Sequence, residues 1–207
     1  GWLRYALLAL AALHTIILFS TATRGAILAF VGAIGLGALL WSFEGGKAGR
    51  KLALGVLVGV IAVIGGFMLV KDAPFIQENP ILTRIANISV KDGGVRFTLW
   101  DMALKGFAER PLTGYGHEGF IFVFSKHYDP SLYAQEPWFD RAHSVYFDWL
   151  VSGGAPALLL FLALLGAAVL GLYRSKMPRA ERVLLITAIA AYAFQALFVF
   201  DNLFSYV

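Results

Sequence analysis

The sequence predicts an all-α protein, a polytopic transmembrane helical bundle with a helical loop region on one membrane face. Composition is the first observation: 59% of the 207 residues are hydrophobic and 14% charged, against roughly 45 to 50% and about 25% in an average soluble domain. The second is the mean hydropathy of +0.72. The third is a set of five apolar runs, each near the roughly 20 residues that cross a bilayer core of about 30 Å. Inside lipid, backbone polar groups must be satisfied within the segment, so such runs fold as helices. The absence of cysteine excludes disulfide frameworks, thiolate zinc sites, iron–sulfur ligation and cysteine nucleophiles.

The runs follow in chain order. Residues 5–20 hold only His14 as an ionisable group, and residues 25–43, 52–70, 154–173 and 183–200 hold none. Pro156 falls where the first turn of a helix accepts proline. A signal peptide is the other reading of the first run, but another span follows almost at once instead of a polar mature domain. The predicted organisation is three transmembrane helices in 1–70, a loop with amphipathic helices in 71–152, and two transmembrane helices in 153–207. Glycine at position 1 and an end six residues past Asp201 read as part of a longer protein.

Lysine and arginine in short loops predict orientation. Residues 44–51 carry three basic residues against one acidic, and residues 174–182 carry four against one, whereas residues 71–142 carry eight against nine. The two short loops are thereby placed inside, and the turn at 20–24, the segment 71–142 and Asp201 outside. The net charge of +4 is a topology signal, with no nucleic-acid partner implied. Trp2, Tyr5, Trp41 and Tyr173 lie near span ends, as interfacial aromatic residues do.

In the outer segment, Val95, Leu99, Met102 and Ala103 recur at helical spacing and predict an amphipathic helix over 91–110. Asp101 and Lys105 form an i, i+4 pair on it, and Arg96 and Trp100 share one face. Pro111 ends this helix, and Thr113-Gly-Tyr-Gly116 is a turn. The loop through Asp129-Pro130 and Glu136-Pro137 leads to a second helical stretch opened by His143 and broken at Gly153-Gly154. His143, Tyr146, Phe147 and Leu150 fall on one of its faces, Asp148 on another.

A few residues stand out chemically. Arg24 lies at the tight outer turn Ser20-Thr-Ala-Thr-Arg-Gly25, and reads either as a snorkelling interfacial arginine or as an anion site. For the second, its planar fork of donors matches phosphate oxygens, and the helix beginning there turns its positive end to the same place. His143 reads as a structural histidine or as a general base, and Asp201 as a helix-end polar group or a functional acid. Trp100, Tyr115 and Tyr146 can pack on sugar faces or simply close the outer segment. Lys105 and Arg110 read as solvated charges. His14, His117 and His127 show no metal-ligand spacing, so no metal or other cofactor is expected.

The motifs Ser20-Thr-Ala-Thr-Arg24-Gly-Ala26, Arg96-Phe-Thr-Leu-Trp100, Pro111-Leu-Thr-Gly-Tyr-Gly116 and Ala142-His-Ser144, with the span beyond Gly153-Gly154, together resemble the signature of the bacterial O-antigen ligase and polymerase family over about residues 20–202. The resemblance implies a multi-pass protein of the bacterial inner membrane with its site on the periplasmic face. It implies a metal-independent glycosyltransferase that takes a glycan from an undecaprenyl diphosphate carrier to an acceptor, the lipid A core sugar in the ligases. By position, Arg24 and Arg96 match the arginines that grip the lipid-linked diphosphate, and His143 matches the proposed base. Ser144 replaces the usual asparagine after that histidine and keeps one hydrogen bond with which to order it; Asp201, Trp100 and Tyr115 join the expected substrate contacts. Repeat-unit polymerase and protein O-oligosaccharyltransferase remain open on the same residues. Distant relatives suggest an inorganic carbon transporter, which calls for ionisable groups inside the spans, and only His14 lies there.

Overall fold

The computed structural model describes residues 2–21, 23–87, 94–135 and 138–201. Ala22, Asp92, the Glu136-Pro137 turn and Asn202 of the sequence reading lie outside the described residues. All regular elements among the described residues are helical, which makes the fold all-α. Internal contacts divide the chain into two units, Gly1–Ile88 and Ser89–Val207.

The first unit contains α1 (Trp2–Ser20), α2 (Arg24–Glu44), α3 (Gly46–Val70) and the short helices α4 (Pro74–Gln77) and α5 (Pro80–Ala86). Phe19 of α1 meets Phe30 of α2 edge to face. α2 and α3 are joined through Gly46, whose φ of 63° suits glycine. Trp41 covers the joint so closely that a Cβ on Gly45 or Gly49 would stand 2.8 or 2.9 Å from its indole nitrogen. Buried alanines, Ala29 and Ala38 on α2 and Ala53 on α3, let backbones approach, as small residues do between helices in lipid. Large apolar side chains face outward, Leu69 at 88% and Val63 at 73% exposure; in water such a surface would be costly, and hydrocarbon is the solvent that suits it.

The second unit contains α6 (Gly94–Glu109), α7 (Phe120–Lys126), a 3-10 turn at Pro130–Leu132, α8 (Val145–Arg174) and α9 (Arg179–Gln195). α6 lies within the expected 91–110 stretch. Its Leu99, Met102 and Ala103 are buried with Phe120, Val123, Phe124, Leu132, Phe139, Ala142 and Val151, and Val95 packs against them. Gly106 allows α7 to come close: a Cβ there would lie 2.5 Å from a Val123 methyl. The expected Asp101–Lys105 pair forms at 2.6 Å on the exposed side.

Two details of α8 differ from the sequence reading. Its first helical residue is Val145, with Ser144 as N-cap, so His143 stands before the helix. At Gly153-Gly154 the chain kinks and then continues as helix, Gly154 adopting φ 68° and ψ −163°. The turn after α6 stabilises this kink. Tyr115 N–H and Gly116 N–H donate to the carbonyls of Val151 and Ser152 at 2.7 and 2.9 Å, and Ala155 N–H donates to Pro111 O at 2.8 Å. Backbone groups released by the kink thus find partners in the turn, as buried backbone must. Gly114 and Gly154 sit at the two points of closest approach, both with positive φ.

Four helices, α1, α2, α3 and α8, have the length and apolarity to cross a membrane among the described residues. The fifth expected span, 183–200, is helical only to Gln195. The following turn is tied to α8 instead, because Val145 N–H donates to the carbonyls of both Ala196 and Val199. This tertiary pairing competes with continuation of the helix and leaves no mark in hydropathy.

Candidate functional site

The site in the second unit grows from the apolar face of α6. Burying Leu99 and Met102 fixes the rotation of this helix, and the rotation brings Trp100 against α8. There Trp100 stacks on Phe147, ring centroids 5.2 Å apart and 22° between planes. Phe97 approaches its edge at 5.4 Å, and Phe198, in the turn after α9, lies at 6.5 Å. Arg96 is one helical turn away on the same face. Arg96 Nε and Trp100 Nε1 are both buried with no hydrogen-bond partner among the described residues. A buried donor left unsatisfied costs about 1 to 3 kcal/mol, so each of these two groups calls for an acceptor.

Two residues past Phe198, Phe200 packs against the His143 ring at 5.4 Å, and Phe139 packs from another side at 5.6 Å, each edge to face. The imidazole is therefore held in an aromatic slot. Its backbone is unusual: His143 has φ 54°, the left-handed region that non-glycine residues seldom occupy. Such a conformation persists only where the surroundings impose it, and it clusters at working sites.

Both neighbours of His143 are fully buried. Ser144 Oγ donates toward Ala196 O across a long 3.5 Å contact, so the hydroxyl expected to order the histidine is turned to the segment after α9. The end of α9 is tied to α8 by Tyr146 Oη, which donates to Ala193 O at 2.7 Å, and the segment beyond it is held by Tyr192 Oη, which lies 3.0 Å from both carboxylate oxygens of Asp201. A single turn, 196–201, thus carries Phe198 to Trp100, Phe200 to His143, and Asp201 beside them in sequence. Trp100, His143, Ser144 and Asp201 are joined through this turn, with Arg96 on the face of Trp100.

Tyr115 belongs to another cluster. Its hydroxyl donates to Glu109, which also accepts from Lys126 Nζ at 2.6 Å and meets His127 Nε2 at 2.8 Å. These bonds, Lys126 foremost and Tyr115 next, hold the Glu109 carboxyl down at about 2. Arg110 lies over the Tyr115 ring at 4.4 Å, an exposed cation–π contact. The cluster joins the ends of α6 and α7 to the turn that clasps α8.

In the first unit, Arg24 is the opening residue of α2 and is half-buried. Thr23 precedes it in extended conformation and does not cap the helix with its side chain; its hydroxyl donates to Thr21 Oγ1 at 3.1 Å.

Sequence reasoning passed over three members of the second unit's site. Phe198 and Phe200 lay inside an expected span. Asp148 was placed only by its helical face, yet it is the lone acid within Val145-Tyr-Phe-Asp-Trp-Leu150, a signal that could have singled it out, and it is buried.

A protein-family model described as O-antigen ligase (Wzy_C) matches residues 7–162, well over half of the chain. No match was found among the curated proteins or among the solved structures. The matched region runs from within α1 to within α8 and includes Arg24, Arg96, Trp100, Tyr115, His143 and Ser144. With its family match and its long apolar helices, the chain belongs to the O-antigen ligase family and is an integral membrane protein of a glycosyltransferase type.

Proposed function

We propose that this protein transfers a glycan from an undecaprenyl diphosphate carrier to an acceptor hydroxyl, that of a lipid A core sugar, at the periplasmic face of the bacterial inner membrane. The observation that carries this reading is the pair of buried, unpartnered donors, Arg96 Nε and Trp100 Nε1, linked through Phe198 and Phe200 to His143. A diphosphate leaving group and a sugar ring are together rich in the acceptors that such donors bind.

In this reading Arg96 grips the diphosphate, the role that the family resemblance also assigns to Arg24. As the anomeric C–O bond breaks, its electron pair goes to the departing diphosphate oxygen, and fixed guanidiniums stabilise the charge that develops there. His143, neutral, takes the acceptor's proton while the acceptor oxygen forms the new glycosidic bond. A general base of this kind supplies about 10² to 10⁴-fold. Ser144 and Asp201 keep the surroundings of His143 in order, and Tyr115 completes the outer contacts. The scheme assigns leaving-group charge to arginines, so transfer is expected to persist in EDTA.

The test is reconstituted transfer with a defined lipid-linked donor and separate candidate acceptors. Arg24→Ala and Arg96→Ala are expected to abolish transfer with membrane insertion intact, and His143→Ala to lower turnover more than donor binding. Full activity in all three variants would end the assignment. Glycan profiling of a deletion strain separates the related activities: a ligase's loss leaves lipid-linked polymer uncapped onto lipopolysaccharide, and a polymerase's loss leaves single repeats.

A further inference from the structure

We infer that Asp148 is the positioning residue of the proposed base, the group that holds His143 in its left-handed conformation; this rests on the reading of His143 above. A residue with φ 54° must be constrained on both flanks. On its far side the constraint is visible, since Ser144 is fully buried and Val145 N–H is shared between Ala196 O and Val199 O. On its near side the constraint is Asp148. From the first turn of α8 its carboxylate reaches back past the N-cap, and Oδ1 accepts the buried N–H of Ala142 at 3.0 Å. The helix returns the grip, because Asp148 N–H donates to Ser144 O at 2.9 Å.

Asp148 therefore closes a loop over residues 142–148 and is bonded on both sides of His143. A hydrogen bond to a carboxylate is about twice as strong as a neutral one, and an aspartate is an unusual choice for a buried helical position unless such a bond requires it. Its second oxygen, Oδ2, is buried with no partner among the described residues. The position thus keeps a carboxylate for one accepted bond, at the desolvation cost of the other oxygen. Arg141, Asp140 and Asp201 are the charged groups around it.

The required feature is an acceptor at Oδ1, which an amide also provides. Asp148→Ala is expected to lower kcat by about 10²-fold, the scale of a misplaced catalytic group, with the KM for the lipid-linked donor little changed. Asp148→Asn is expected to recover most of kcat and to leave the pH profile where the wild type has it. The structural arm is independent of activity. In the full-length protein with ¹⁵N-labelled histidine, the His143 ring signals, assigned with His143→Gln, should move in Asp148→Ala and stay in Asp148→Asn. Unchanged His143 signals in Asp148→Ala, or an Asn variant as impaired as the Ala variant, would overturn the positioning role. If Asp148→Ala does not fold, the Asn variant alone decides: wild-type signals and kcat support the inference, and displaced signals refute it. Active His143→Ala protein would instead remove the functional reading and leave the structural arm standing.

Discussion

Gly114→Ala is the substitution whose effect the structure specifies most fully. Gly114 has φ 61°, and a Cβ there would stand 2.4 Å from Val151 O, 2.5 Å from Ser152 C and 2.6 Å from Gly153 N. Holding alanine in the left-handed region costs about 1 to 2 kcal/mol. The atoms it meets are backbone, so relief requires the turn to lift from α8. Lifting breaks the Tyr115 N–H to Val151 O and Gly116 N–H to Ser152 O bonds, about 1 kcal/mol each and more if the carbonyls remain buried. The expected total is about 3 to 4 kcal/mol. Gly116→Ala is the internal control: its φ is 87°, yet a Cβ there meets nothing within 4 Å, so only the conformational cost of about 1 to 2 kcal/mol applies. Thermal unfolding of both variants in one detergent measures the difference. At about 2 to 4 °C per kcal/mol for a chain of this size, Gly114→Ala should melt roughly 6 to 16 °C below wild type and Gly116→Ala only about half as far. Equal shifts would refute the clasp as the source of rigidity at the kink.

Arg96→Lys keeps the charge and loses the planar fork, so transfer should fall well below wild type in the reconstituted assay; full activity would exclude a bidentate grip on diphosphate. Glu109 titrates about 2 in the folded protein against an ordinary value of 4.5, so its stabilising contribution is complete above 4.5 and is lost as pH falls toward 2. Thermal unfolding from pH 5 to 2 should show that loss in wild type and a smaller one in Glu109→Gln. For topology, a cysteine in place of Asp92 should react with an impermeant thiol reagent added from the periplasmic side, and reaction from the cytoplasmic side alone would invert the orientation.

The α6 helix shows what a sequence reveals. Leu99, Met102 and Ala103 repeat at a helical period, and since the period alone decides which side is apolar, their burial could be read before any coordinates. Arg96 and Trp100 followed as a shared face for the same reason. His143 was visible as a residue type, but its left-handed backbone was not, because that conformation comes from restraints on Ala142 and Val145 that originate at Asp148 and at residues 196–199. Asp148 itself could be placed on a helix face, yet its reach back to Ala142 depends on where the helix starts, two residues later than expected. The end of α9 at Gln195 was hidden because hydropathy records how much a segment prefers to leave water, and says nothing of the backbone partners it finds afterward.

By itself, then, the sequence determined the all-α membrane class and the apolar faces, because these depend on composition and local period, while the candidate chemistry at Arg24, Arg96 and His143 came from the family resemblance. Only the tertiary structure decided the kink in α8 with its clasp from residues 111–116, and the turn that ties Trp100 to His143. Those features rest on hydrogen bonds and ring contacts between residues tens of positions apart, such as Tyr115 with Val151 and Trp100 with Phe198. Such pairings are chosen by three-dimensional packing, for which the linear order of residues carries no periodic signal.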